Sequence, residues 1–478
     1  MHFEDDDTTC NGVFTLASNG NSPWRCWALL TLLNELKNSG IPPSVRRARV
    51  RGRGAEFDTL IIGAGQAGLA TAAQLKELGL KACVIERNGR VGTSWRDRYE
   101  SLQLNTPKDF SHLPYLPFPA EWPMFPSATM VADHMERYPQ LLGLDVRRGT
   151  KTVRAEFDEI DQTWTVQLER KDGSQFTLVS SHLVVATGVD ILGGQKPRIP
   201  QIPGLVNFRG RVLHSTDVRD VHQWSGKRVV VLGAGCSGHD IAMALCKGGA
   251  SEITMIQRSP TAVISREVLL KLFPDLYTGE NRPPINVADE LYLALPTPAS
   301  KVLRSTMMAK LALLDAQVTS GRSSSGSPSD AVGSLLSISR PHSYRVPGGY
   351  YIDQGCSGLI ADGSINLKPY KSIQSLVSTG IAFTNGEKLS VDTLIFATGY
   401  ALAGCYRYSF PASFLDESVY SVTGEIGGID DEGEAIGLWR PSGHDHLWFA
   451  GGDLFNCRFY SRLLSLQILG SQGSLADM

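Results

Sequence analysis

The chain has 478 residues, 42% hydrophobic and 20% charged, with a formal net charge of -2, a composition that suits a globular protein of two or three domains. So even a balance excludes a global preference for nucleic acid or an anionic membrane surface. The eight cysteines, at 10, 26, 83, 236, 246, 356, 405 and 457, form no CxxC pair, and no apolar run reaches the roughly 18 residues of a membrane-spanning helix; the chain reads as soluble and cytoplasmic, with reduced thiols.

Residues 1–54 read as an N-terminal extension or linker. The opening MHFEDDDTT is acidic where a signal peptide would be basic and then apolar. WALLTLLNELK at 27–37 predicts a short amphipathic helix, and the arginine-rich RRARVRGRG behind it reads as a solvated linker more readily than as a nucleic-acid patch. From 57 to 190 strand and helix patterns alternate and close on SHLVVATG, the signature of a βαβ nucleotide-binding unit. That unit contains LQLNTPKDFSHLPYLPFPAEWPMFP, whose prolines predict an extended loop packed by its own aromatics, a kind of loop that often lines sites.

A second unit opens at about 195 with its own strand and glycine turn. VDTLIFATGY at 391–400 echoes the earlier ATG segment and predicts a return to the first unit. The expected organisation is α/β, with two Rossmann-like dinucleotide-binding domains, the second inserted in the first: residues 55–194 and 346–478 form the discontinuous first domain, and residues 195–345 the second. Within the latter, SGRSSSGSPSD at 320–330 reads as a connector of low complexity.

Two turns carry the chemistry. In Gly63-x-Gly65-x-x-Gly68 the first glycine permits the tight turn out of the strand, the second lets backbone approach a pyrophosphate, and the third lets the helix pack on the sheet. The phosphates then sit at the positive helix end, and Glu86, 18 residues beyond Gly68, is placed to accept from a ribose diol. Gly233-x-Gly235-x-x-Gly238 repeats the pattern, but its next strand ends in Arg258 where the first unit has a carboxylate. Arg258 either pairs with a 2′-phosphate, which selects NADPH over NADH, or is a solvated strand-end arginine. LWFAGGDLF at 447–455 then offers Asp453 to the ribityl hydroxyls of FAD, unless its Gly-Gly-Asp is simply a turn.

At this point the chain resembles the flavin-containing monooxygenases, and among them the fungal members. Phe208, Gly210 and His214 match the family's identifying Phe-x-Gly-x-x-x-His, although Val218 stands where the family usually has an aromatic. GTSWRDRY at 92–99, the two ATG segments and GLWRPSGHDHLWFAGGDLFNCRFYSRLLSLQI at 437–468 match as well, so the resemblance covers about 55–315 and 345–470. Residues 316–345 depart from it, as a divergent lid or a faulty gene model would, and 16–54 look like the tail of a longer extension.

The resemblance implies an NADPH-dependent FAD monooxygenase that takes a small-molecule substrate and O2. One oxygen atom would pass through a flavin C4a-hydroperoxide to an amine or sulfide; Baeyer-Villiger oxygenation, aryl-pyruvate decarboxylation and a non-catalytic flavin-binding protein are the alternatives. It implies Asn105 beside the reacting oxygen, Trp95 near the flavin and His214 orienting the linker between domains. Each has a plainer reading: a turn asparagine ahead of Pro107, a buried structural tryptophan and a satisfied core histidine. No HExxH is present, HDH at 444–446 stands alone, and no metal is expected. A disulfide reductase would need a redox cysteine pair near the first turn, where only Cys83 stands.

Overall fold

The computed structural model describes residues 2–4, 8–17, 25–36, 54–188, 197–259, 261–272, 275–294, 350–400, 414–431 and 434–471. The arginine run before 54, the Ser/Gly stretch and the divergent segment 316–345 lie outside the described residues.

The first sheet is built on Phe57–Ile62, every residue of which is buried, as expected of a parallel strand covered on both faces. Ala82–Glu86 and then Asp145–Arg148 pair on one side of it, and Gln175–Val185 on the other. Gln175–Val185 is long enough to serve two partnerships. Its first half continues an antiparallel meander with Thr163–Arg170 and Thr150–Asp158, while its last residues take Leu447–Phe449 as a parallel neighbour. The C-terminal helix Leu454–Ser471 follows and packs on the first nucleotide helix, Gln66–Glu77, with Leu464 and Ile468 joining Leu69, Ala70 and Ala73 in one core.

The second sheet is wholly parallel, in the order Arg211–His214, Thr393–Phe396, Arg228–Leu232, Glu252–Gln257, Asn366–Pro369. Its helix Cys236–Lys247 buries Ile241 and Leu245 against Val229, Val231 and Ile395. Ala262–Ser265 pairs with Tyr350–Asp353, and a three-stranded meander spans Ile373–Ser390.

Two sequence expectations are corrected. Residues 27–37 are not a helix: Arg25–Leu36 is a strand, antiparallel to Thr8–Ala17. Helix propensity in so short an apolar run is a weak prior, and pairing with a partner rich in Thr, Val and Phe outweighs it. Nor do residues 346–400 return to the first unit, because Tyr350–Asp353, Asn366–Pro369 and Thr393–Phe396 all pair with strands of the second. The two ATG segments look alike because each crosses its own glycine turn: a Cβ on Gly63 would come within 2.6 Å of the Ala186 carbonyl oxygen, and one on Gly233 would collide with that of Ala397. The echo marks a repeat of the turn, and the chain re-enters the first sheet only beyond residue 400, with Ala155 bridging Leu415 and with Leu447–Phe449.

Where the chain passes between the units, two short segments lie side by side. Arg198 N donates to the Gly399 carbonyl at 2.9 Å, and Pro197 bridges Tyr400.

Candidate functional site

Each nucleotide turn separates into glycines required by the protein's own packing and one that is not. Gly63 and Gly233 have φ of +105° and +121°, and a Cβ on Gly68 or Gly238 would strike the carbonyl oxygen of Gly63 or Gly233. At Gly65 and Gly235 a Cβ would meet nothing within 4 Å, and φ is an ordinary -77° and -87°. The space over those two residues is therefore not filled by protein, and each opens at the amino end of a 12-residue helix, where free N–H groups and the helix dipole favour an anion. Two such cradles fit two dinucleotides.

Around the first cradle, Glu86 is buried at the end of its strand; one carboxylate oxygen accepts from Ala64 N at 2.9 Å, and the other accepts from the backbone and side-chain nitrogens of Asn88, both at 2.8 Å. A carboxylate has about four lone-pair sites, so one remains for a ligand hydroxyl. Gln66, inside the fingerprint, donates to the Gly452 carbonyl at 2.5 Å and accepts from the Trp95 indole at 3.1 Å. Trp439 secures the same loop by donating to the Gly451 carbonyl at 2.7 Å. Asp453 is solvent-exposed yet enclosed by protein, and that enclosure pushes its carboxyl up from the usual range even though Asn456 N donates to it at 2.7 Å.

At the second cradle Arg258 ends its strand exposed and, among the described residues, carries no hydrogen bond or ion pair. His214 lies at the end of Arg211–His214, buried and lowered in pKa by that burial. Its Nε2 donates to the Gly399 carbonyl at 3.0 Å, while Nδ1 accepts from Thr216 N at 3.3 Å. The imidazole is thus neutral, fixed as one tautomer, and clamped on the paired segments that cross between the sheets.

The loop carrying Asn105 reaches the start of the second nucleotide helix. It folds back on itself, with Leu104 N donating to the Pro126 carbonyl and Ala128 N to that of Leu102. This sets Asn105 beside Cys236, the first residue of the second nucleotide helix, within hydrogen-bonding reach of its thiol. Burial pushes that thiol up to about 12, so it is neutral at pH 7. Asn105 Oδ1 is buried without a partner, and an amide oxygen left so is costly unless something else satisfies it.

Several side chains here were not read from the sequence. Tyr99 donates to Asp240 at 2.9 Å across the two units, and burial pushes Asp240 up to about 6. Arg266 donates to Gln103 at 2.6 Å. Arg458, on the C-terminal helix, pairs with Asp289 through two contacts of 2.8 Å and donates to the Phe110 and His112 carbonyls. Only Gln66 had a signal, its place inside the glycine fingerprint; the rest are brought together by contacts between distant segments.

Two glycine-turn units, each with an unfilled cradle at its helix start, are the mark of a two-nucleotide oxidoreductase, and residues 57–269 match the family described as pyridine nucleotide-disulphide oxidoreductase. Among curated proteins, the chain is 33% identical over 343 residues to the indole-3-pyruvate monooxygenase YUCCA1 of Oryza sativa subsp. japonica, a match covering 71% of this chain and 76% of that one. It is 29% identical over 349 residues to the probable indole-3-pyruvate monooxygenase YUCCA4 of Arabidopsis thaliana, covering 71% and 75%. The fold is that of a flavin-containing monooxygenase from Stenotrophomonas maltophilia (TM-score 0.55, 18% identity, 87% of this chain and 98% of that one) and of an S-allyl-L-cysteine S-oxygenase from Allium sativum (0.53, 19%, 88% and 80%).

The chain belongs to the flavin-containing monooxygenase family and is an enzyme. The expected nearness to fungal members finds no support among these proteins, which are from plants and a bacterium. Among the described residues no helix is long and apolar enough to cross a membrane, and no group of three or more His, Cys, Asp or Glu is arranged to hold a metal.

Proposed function

We propose that the cradle at Gly65 holds FAD, that the cradle at Gly235 holds NADPH, and that the protein oxygenates a 2-oxo acid bearing an aryl group. Of the alternatives the sequence left open, this one is supported by the names of the curated relatives, each an indole-3-pyruvate monooxygenase or a probable one. Oxygenation of an amine or sulfide, the first expectation, has no comparable support, since the S-oxygenase shares only the fold. The observation that carries the two-nucleotide part of the reading is the pair of glycine cradles that no protein atom fills.

FAD, when bound and reduced by NADPH, supplies the activation of dioxygen. The chain's own residues bind, orient and keep the crevice dry. Glu86 and Asp453 would accept from ribose and ribityl hydroxyls, and Arg258 would meet the 2′-phosphate of NADPH. Trp95, held by Gln66, would lie along the flavin. Asn105 would donate a neutral hydrogen bond near the reacting oxygen without offering an acidic proton. Phe110, stacked on Phe455 at 4.5 Å and packed with Phe125 and Tyr277, would exclude water. The net reaction converts 2-oxo acid, O2, NADPH and a proton to the acid one carbon shorter, CO2, NADP+ and water.

The test is to assay the purified yellow protein with phenylpyruvate, N,N-dimethylaniline and a thioether while counting NADPH, product and peroxide. Phenylacetate and CO2 equal to the NADPH consumed is the expected result. Stoichiometric N-oxide or sulfoxide with no phenylacetate would refute the 2-oxo acid reading. An Arg258→Gln variant should lose affinity for NADPH and not for NADH; equal loss for both would remove Arg258 from the phosphate.

A further inference from the structure

A guanidinium at the contact between the two units is used by nothing in the proposed cofactor set. Arg266 opens the short helix Arg266–Leu272 of the second unit and reaches into the first, where its Nη2 donates to Gln103 Oε1 at 2.6 Å and its plane lies 4.3 Å from the Phe125 ring centroid. Its Nε is buried with no partner. Among the described residues no carboxylate lies within 4.0 Å of it. Asp240 is electrostatically coupled to it but sits beyond that distance, bound through one oxygen to the Tyr99 hydroxyl. Tyr351, a phenol that burial keeps neutral, is its other titratable neighbour, and Arg98 faces Asp240 from the first unit.

Three buried polar atoms without partners, Asn105 Oδ1, Asp240 Oδ1 and Arg266 Nε, belong to residues that meet at this seam. Gln103 and Asn105 stand two apart on one loop, Asn105 touches Cys236, and Asp240 follows Cys236 by one helical turn. Arg266 as a residue is half-buried, and a guanidinium held in that setting with no carboxylate at ion-pair distance is poised for an anionic ligand.

We propose that Arg266 is the anion-recognising residue of the substrate pocket and binds the carboxylate of the 2-oxo acid, with the aryl group against Phe125. This rests on the reading of the preceding subsection for the identity of the acid. The guanidinium fork matches a carboxylate through two parallel N–H donors. Nη2 gives one of its two N–H groups to Gln103, and its second N–H with the adjacent Nη1 N–H forms the end-on fork that meets it. Gln103 then acts as a positioning residue, setting the plane of the fork from the loop that carries Asn105.

The experiment compares the holoenzyme with Arg266→Met and Arg266→Lys, using phenylpyruvate and its uncharged analogue phenylacetone, in which a methyl replaces the carboxylate. Equilibrium binding is measured by calorimetry and KM by NADPH oxidation. Arg266→Met should weaken phenylpyruvate roughly 10- to 150-fold, the range of a charge-assisted hydrogen bond. Phenylacetone, the KM for NADPH and the FAD content should stay within about twofold, and Arg266→Lys should recover part of the loss. Parallel loss for both ligands would mean that Arg266 merely packs the pocket, and a matching rise in the KM for NADPH would assign the guanidinium to a nucleotide phosphate; either overturns the proposal. If phenylpyruvate binds in an Arg266-dependent way yet yields no phenylacetate, the oxygenation reading fails and the anion site stands. A wild-type protein that does not prefer phenylpyruvate over phenylacetone removes the anion site whatever the turnover.

Discussion

Replacing Gly65 with alanine separates what the protein's packing requires from what a ligand requires. The new Cβ meets no protein atom within 4 Å, and φ -77°, ψ -175° at this residue is open to any L-amino acid. Loss of chain entropy in the unfolded state favours the variant by about 0.4–1 kcal/mol. The poorer fit of alanine at a helix N-cap costs a comparable amount, so the apo-protein should keep its stability to within about 0.5 kcal/mol. A bound pyrophosphate, by contrast, would be pushed off the N–H groups of the helix start. Losing two charge-assisted hydrogen bonds at about 1.5–3 kcal/mol each weakens FAD at least a hundredfold.

The assay is FAD content after dialysis, with urea unfolding of the apo-protein alongside. Gly235→Ala should retain FAD and raise the KM for NADPH. Gly68→Ala is the packing control: its Cβ collides with the Gly63 carbonyl, and it should lose several kcal/mol of stability, roughly in the range of a severe overpacking mutation. Full FAD occupancy in Gly65→Ala, or a loss of apo-stability approaching that of Gly68→Ala, would refute the reasoning.

Other outcomes follow from named contacts. Arg458→Met strips the counter-charge from Asp289, whose side chain is only 4% exposed and keeps only the Tyr277 hydroxyl, and should cost about 3–5 kcal/mol; urea unfolding of a double variant that also carries Asp289→Leu should show part of this regained. Asn105→Asp should keep FAD while more of the NADPH consumed appears as peroxide, and unchanged coupling would remove Asn105 from the site. His182 accepts from the Trp448 indole at 3.3 Å and stacks on His446, and burial lowers its pKa from 6.5 to about 3. The unfolded chain therefore takes up a proton that the folded one refuses: this contribution is whole above pH 6.5 and is lost as pH falls toward 3, by about 2 kcal/mol at pH 5. His182→Phe should flatten the pH dependence of urea unfolding between pH 7.5 and 5, and an unchanged slope would show that His182 is protonated in the folded state.

The sequence by itself determined the parts whose physics is local. Runs of buried β-branched and leucine residues ending in Gly-x-Gly-x-x-Gly specify strand, turn and helix within about a dozen residues, and the prolines of 107–126 specify a loop; both stand in the fold. That Glu86 ends the strand beside the first turn and that Asp453 follows a short apolar strand was legible for the same reason. Which sheet a strand joins was not, because ATG after an apolar run suits either glycine turn, and only the pairing of Thr393–Phe396 with Arg211–His214 and Arg228–Leu232 decides it. The tertiary structure alone brought Arg266 to Gln103, Tyr99 to Asp240 and Arg458 to Asp289, contacts spanning 163, 141 and 169 residues. Their charges carry no periodic signature, and their meaning comes from the solvent that folding removes around them.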